Sequence, residues 1–204
     1  LQAIKRGPRA LRHIAMIPAL QNPKTLALLL GTADGVRLCN VAGRLCQMQN
    51  EDGGWGYPFA WQARAFYVPR GASNAIVASF AVDALMARGM SSTDPVMQRA
   101  AGFMRGLWRE GYFAYVDQGN AEIHNASLWS AWALHRIDPG NEMSQKSVAR
   151  VLTSQRPDGA WEYGTRVHHR FIDGFHTGYI LDLLDRFRAS GMVGLDDAIM
   201  RGYA

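Results

Sequence analysis

Two stretches of the chain, QNEDGGW from Gln49 to Trp55 and QRPDGAW from Gln155 to Trp161, place a glutamine six residues before a tryptophan, 106 residues apart. Each contains a helix stop, Asp52-Gly53-Gly54 or Pro157-Asp158-Gly159, and is followed at once by a tyrosine, Tyr57 or Tyr163. A repeated sharp stop leading into large aromatic residues implies stacked structural units, so the unit has to be found before function is considered.

The segments beginning at Ser73, His124 and His176 align as that unit, their starts 51 and 52 residues apart. The first two are apolar around nearly the whole helix (Ile76, Val77, Phe80, Val82, Leu85; Leu128, Trp129, Trp132, Leu134, Ile137), which predicts helices buried on every side. The third keeps Tyr179, Ile180, Leu183, Leu184 and Phe187 but admits Asp182, Asp185 and Arg186, so part of it reaches solvent. Between them lie one-sided helices, predicted over 94–108, about 36–49 and 144–155, with Asp94 as N-cap and Pro95 at the first helical position. Inner helices alternating with amphipathic outer helices predict an all-α fold, an α/α toroid of hairpins about 50 residues long, with three units and part of a fourth visible. An open solenoid of helix pairs is the alternative.

The 204 residues fit one domain, 1–204, or a piece of a longer one, and 48% apolar content suffices for a substantial core. The net charge of +5 comes from arginines scattered singly, a pattern suited to acidic small molecules or polyanionic glycans and not to nucleic acid. Cys39 and Cys46 sit seven apart on one helix, too far for a disulfide, and read as reduced core residues. No zinc-ligand spacing occurs, and the longest apolar run, Leu26 to Leu30, cannot span a bilayer. With no signal peptide in view, a cytoplasmic location is expected, without cofactor, metal or integral membrane segment. An open edge of apolar inner helices is expected to be covered by a second copy of the chain or by sequence preceding Leu1 that completes the ring.

The Gln-x5-Trp turn resembles the glutamine-tryptophan repeats of squalene-hopene cyclases and related terpenoid cyclases. A wider likeness covers NPKTLALLL, WGYPFAWQARAFYVPRGASNAIVASFAVDAL, IHNASLWSAWAL and QRPDGAWEYGTRVHHRFIDGFHTGYILDLL. These stretches look like the bacterial toroid proteins associated with capsule and exopolysaccharide biosynthesis, a family similar to six-hairpin glycosidase-like and cyclase-like folds. The resemblance implies a toroid and a role with polysaccharides. The Asp-x-Asp-Asp acid of terpenoid cyclases is missing, since Asp196-Asp197 lacks the preceding aspartate, and the zinc-ligand patterns of prenyltransferases and lanthionine cyclases are absent too.

The polar starts of the inner helices, Ser73-Asn74, His124-Asn125 and His176-Thr177, are expected on one rim of the ring, near the positive helix ends. Capping accounts for Asn74 and Asn125 but does not call for histidine, so His124 and His176 are candidate catalytic groups, with Asp173 placed to orient His176 or, alternatively, to cap that helix or pair with Arg170. Trp55, Tyr57, Trp61, Arg64, Asn74, Asn125, Trp161 and Tyr163 are candidate substrate contacts, although Trp55 and Trp161 can equally staple the two layers. His168-His169 reads as surface. Histidine, tyrosine, arginine and asparagine around an aromatic mouth suit a lyase or epimerase acting on an acidic sugar. A glycosidase would need two carboxylates, and beside Asp173 only Glu51, Asp52, Asp158 and Glu162 are available. The expected function is therefore that of a carbohydrate-related toroid protein of bacterial polysaccharide biosynthesis or modification, binding or acting on an acidic glycan. A terpenoid cyclase-like or lipid-handling toroid is the alternative from another class, and a scaffold without a site is a third.

Overall fold

The computed structural model describes residues 7, 9–32, 37–62 and 66–204, with the side chains of Arg9 and of residues 37–39 left aside. Arg64, Val36 and the side chain of Cys39 therefore lie outside the described residues. After a short helix α1 (Arg9–Ile14), the described chain runs α2 (Pro23–Thr32), α3 (Arg37–Gln47), α4 (Ala75–Ala87), α5 (Pro95–Gly106), α6 (His124–Ile137), α7 (Glu142–Thr153), α8 (Gly174–Ala189) and α9 (Asp196–Tyr203). Two hairpins of two-residue strands interrupt it, β1 (Trp61–Gln62) with β2 (Tyr67–Val68) and β3 (Trp108–Arg109) with β4 (Tyr112–Phe113). The chain is thus mostly helical, as the periodicity predicts.

The even-numbered helices form one row, α2 on α4, α4 on α6 and α6 on α8, and α3, α5, α7 and α9 pack against it. Ten residues of α4 and twelve of α6 are buried, so these two central helices have hardly a solvent face. Helices α5 and α7 bury one stripe each, Met97, Ala100, Ala101, Phe103 and Met104 in the first, Ser144, Ser147, Val148 and Val151 in the second. The row contains a fourth inner helix, α2, which the repeat alignment does not include. Its outer face leaves Leu28 and Leu29 each 49% exposed.

The inner helices start within about three residues of where the sequence places them, and the small shifts have physical causes. The outer helix predicted to Trp108 ends at Gly106, and Trp108 opens the β3–β4 hairpin instead. The third inner helix starts at Gly174 because Asp173 caps it through the amide of His176, at 2.8 Å. The Asn74 carboxamide caps α4 through the amide of Val77, while α6 follows Ile123 with no side-chain cap. Aligned on their true starts, His124 is the first residue of its helix and His176 the third, so the two histidines are not equivalent positions.

The Gln-x5-Trp turn does the same mechanical work in both copies. The Gln49 Nε2 donates to the carbonyls of Gly53 and Val96, both at 2.9 Å, and Gln155 Nε2 donates to those of Gly159 at 2.9 Å and Ala198 at 2.8 Å. Arg99 and Arg201 donate to the two glutamine Oε1 atoms. Each glutamine therefore ties its own turn to the second helix that follows it, α5 in the first copy and α9 in the second, with its amide fully used. The tryptophans are sealed, their Nε1 atoms donating to Leu45 O at 2.8 Å and Val151 O at 2.9 Å. Of the two alternatives, Trp55 and Trp161 are staples between layers and not sugar-stacking faces. Trp132 is likewise buried, its Nε1 donating to Asp83 at 2.8 Å.

The turn glycines are dictated by contact as well as by backbone conformation. A Cβ on Gly159, whose φ is +82°, would lie 1.9 Å from the Arg201 carbonyl oxygen. Gly140 has nearly the same φ, +87°, but open space around it. Gly140→Ala should therefore cost about 1–2 kcal/mol for conformation alone. Gly159→Ala should cost about 3 kcal/mol or more, because α9 must move as well. Urea denaturation of the two variants checks this; equal losses would show that the turn does not grip α9.

Candidate functional site

The links between outer and inner helices carry one pattern three times: Trp55-Gly56-Tyr57, Phe113-Ala114-Tyr115 and Trp161-Glu162-Tyr163. The first aromatic of each is buried in the core, and Phe113 fills in the middle copy the place that tryptophan fills in the others. The tyrosine backbone then meets the start of the preceding inner helix. The amide of Ala75, first residue of α4, donates to Tyr115 O at 2.9 Å, and the amide of His124, first residue of α6, donates to Tyr163 O at 3.0 Å. These contacts satisfy helix-terminal amides that have no partner within the helix.

The consequence is a cavity of about 210 Å³ at the N-terminal ends of the inner helices, walled by Lys24, Tyr57, Trp61, Ile76, Tyr115, Asn125, Tyr163, Phe171, Phe175, His176 and Tyr179. Lys24, Ile76, Asn125 and Phe175 are each the second residue of their helix. Four inner helices and three links thus contribute equivalent positions to one space. Of the candidate residues named above, Tyr57, Trp61, Asn125, Tyr163 and His176 meet there. Tyr115 belongs with them and follows from the aromatic-x-Tyr spacing, which the Gln-x5-Trp pattern hides because Leu107 stands where the glutamine would be.

Asp173 accepts from the His176 amide through Oδ1 and lies 2.7 Å from His176 Nδ1 through Oδ2, so it is a cap and an imidazole partner at once. Burial would raise its pKa, but the hydrogen bonds from the amide and ring of His176, and the charge of that ring, hold it below the usual carboxylate range. With Nδ1 engaged as donor, Nε2 is the free basic nitrogen. The His176 ring packs 4.5 Å from that of Tyr163, and Trp61 stacks on Tyr115 at 5.7 Å. Burial raises the pKa of both Tyr57 and Tyr115. Burial and the nearby Asp173 charge push Tyr163 up to about 12.

Several candidates fall elsewhere. His124 is buried, with Nδ1 2.7 Å from the Glu162 carbonyl; it locks a link to α6 and does not line the cavity. Asn74 is sealed by its capping role. His168 is exposed as expected, but His169 is fully buried against the edge of Tyr163. Asp52 accepts from the Gly54 amide and the Ser73 hydroxyl, Asp158 pairs with Arg156, and Glu162 lies between Arg156 and Arg170 at 3.7 and 3.8 Å. Among the described residues no carboxylate lines the cavity, and Lys24 is its cation in place of an arginine. Among the same residues no group of three potential ligands could hold a metal ion, and no helix is long and apolar enough to cross a membrane.

No family model matches the chain, and no curated protein matches it either. The likenesses described above rest on their quoted motifs alone, and the geometry of the cavity carries the functional reading.

His124 has a measurable signature. Burial, the leading cause, holds its pKa below the ordinary value of about 6.5, so the native state keeps it neutral. The unfolded chain then binds more protons, and the associated stability is present above about pH 6.5 and lost as pH falls towards the folded-state pKa. Burial lowers His135 in the same sense. In His124→Gln, the fall in melting temperature between about pH 7 and pH 5 should be shallower than in the wild type, with the remainder from His135. An unchanged slope would mean that His124 is solvated in solution.

Proposed function

We propose that the two rows of helices belong to an α/α toroid and that the cavity binds an acidic sugar and moves a proton on it, in polysaccharide biosynthesis or modification. The observation that carries this reading is the Asp173–His176 pair opening into a cavity walled by tyrosines, a tryptophan and an asparagine. Flat aromatic faces suit the C–H faces of a pyranose, and tyrosine hydroxyls and an amide suit its hydroxyl groups. A uronate carboxylate acidifies the C–H at C5. His176 Nε2 takes that proton, Asp173 stabilises the imidazolium formed, and the electron pair is left on C5 as an enolate. Expulsion of the C4 oxygen substituent, protonated by a tyrosine hydroxyl, gives the unsaturated uronate of a lyase. Return of a proton to the opposite face gives the C5 epimer.

A hydrolytic mechanism needs two carboxylates across the scissile bond, and the described lining supplies none. The predominance of aromatic side chains favours one second reading, an isoprenoid-handling pocket. Lys24, Asn125 and His176 are polar groups that such a ligand would leave unpaired.

The test is solvent deuterium exchange at C5, together with ultraviolet detection of unsaturated products, on a panel of uronate-containing polysaccharides. His176→Gln should abolish both signals while stability stays within about 1 kcal/mol. Asp173→Asn retains an equally good helix cap, so it should fold normally yet lose about 100-fold or more in rate. Exchange that survives in His176→Gln would remove the proposed base.

A further inference from the structure

We infer that Lys24 is the anchor for the carboxylate of one uronic acid ring held in the cavity; this rests on the glycan reading above. Lys24 is the second residue of α2, partly buried, with its ammonium 4.4 Å from the centroid of the Phe80 ring. Burial lowers its pKa. Among the described residues no carboxylate lies within ion-pairing distance of it, and Asp173 is committed to His176. A cation desolvated without a counter-ion is unfavourable in the empty protein, and a bound anion removes that cost.

A second polar residue lines the same space. Asn125 is 5% exposed and lines the cavity, and its Oδ1 makes no hydrogen bond. A buried amide oxygen of this kind calls for a donor, which a sugar hydroxyl supplies. A single ammonium, with no arginine among the described lining residues, matches one negative charge. A phosphate dianion would leave charge uncompensated in an aromatic site, so a carboxylate is the fitting anion.

The layer of side chains beneath the cavity limits its depth. Phe80, Trp129 and Tyr179 are each the sixth residue of their helices and touch one another, with centroids 4.3, 5.8 and 6.1 Å apart. One turn further on, Asp83 accepts from Trp132 Nε1 at 2.8 Å, Arg136 at 3.1 Å and Arg186 at 3.0 Å. The space between the helices is therefore plugged beneath the cavity. At about 210 Å³ it is smaller than the ~300–1,000 Å³ of common ligand pockets, which matches a single sugar ring.

The test compares methyl β-D-glucuronide with methyl β-D-glucoside, which differ only at C6, by calorimetry and by quenching of tryptophan fluorescence. The wild type should prefer the glucuronide by about tenfold or more, the discrimination of one charge-assisted contact. Lys24→Met should erase that preference with little change for the glucoside, and Lys24→Arg should keep it. Asn125→Asp, a second route should Lys24→Met fail to fold by circular dichroism, should weaken the glucuronide more than the glucoside. Equal wild-type affinity for both sugars, or a preference that persists in Lys24→Met, would overturn the anchor while leaving the glycan reading standing. Binding of farnesol with neither sugar bound would overturn both.

Discussion

The hydrogen bond from the first amide of one inner helix to the tyrosine carbonyl of the next link is the contact on which the site depends. It is made twice, from Ala75 to Tyr115 and from His124 to Tyr163. An inner helix buried on all sides cannot leave its terminal amides to water, so the following link is drawn across its end. That crossing fixes the tyrosines over the helix starts, and their side chains become the walls of the cavity. The core thus has a satisfied helix end and the site has its lining from the same few atoms.

From that end the inner face descends in layers of equivalent residues. The second positions of the helices line the cavity; the sixth, Phe80, Trp129 and Tyr179, close it; the ninth include Asp83 and Trp132, and the thirteenth Arg136 and Arg186. Steps of four, three and four residues keep these positions on one face of each helix. The two lower layers are joined through the mostly buried Asp83 carboxylate, which accepts from both arginines and an indole. A carboxylate with three donors tolerates burial, and it fixes the spacing of α4, α6 and α8 beneath the site.

Much of this organisation is legible in the sequence. The alternation of all-round apolar and one-sided helices marks inner and outer rows, and the Gln-x5-Trp turns mark where the chain passes between them. Register is harder to read. His124 and His176 look equivalent as polar residues opening apolar runs, but a helix begins where a cap satisfies its amides, and Asp173 supplies that cap three residues before His176. The destination of an aromatic residue is also hidden: Trp55 and Trp61 are six residues apart in one link, yet the first is sealed in the core and the second is at the cavity, because only the folded link decides which face each ring turns inward. Lys24 escapes notice for a related reason. A lysine near a helix start is unremarkable until three other helices bring their own second residues beside it.

A crystal structure of the protein with methyl β-D-glucuronide bound tests the central claim, that repeat-equivalent positions build one site for an acidic sugar. The account predicts the pyranose between Trp61 and Tyr163, its carboxylate on the Lys24 ammonium, a hydroxyl on Asn125 Oδ1 and C5 facing His176 Nε2. A ligand bound instead in the open groove of Trp108, Tyr112 and Arg150, with the cavity filled by rearranged aromatic side chains, would contradict it.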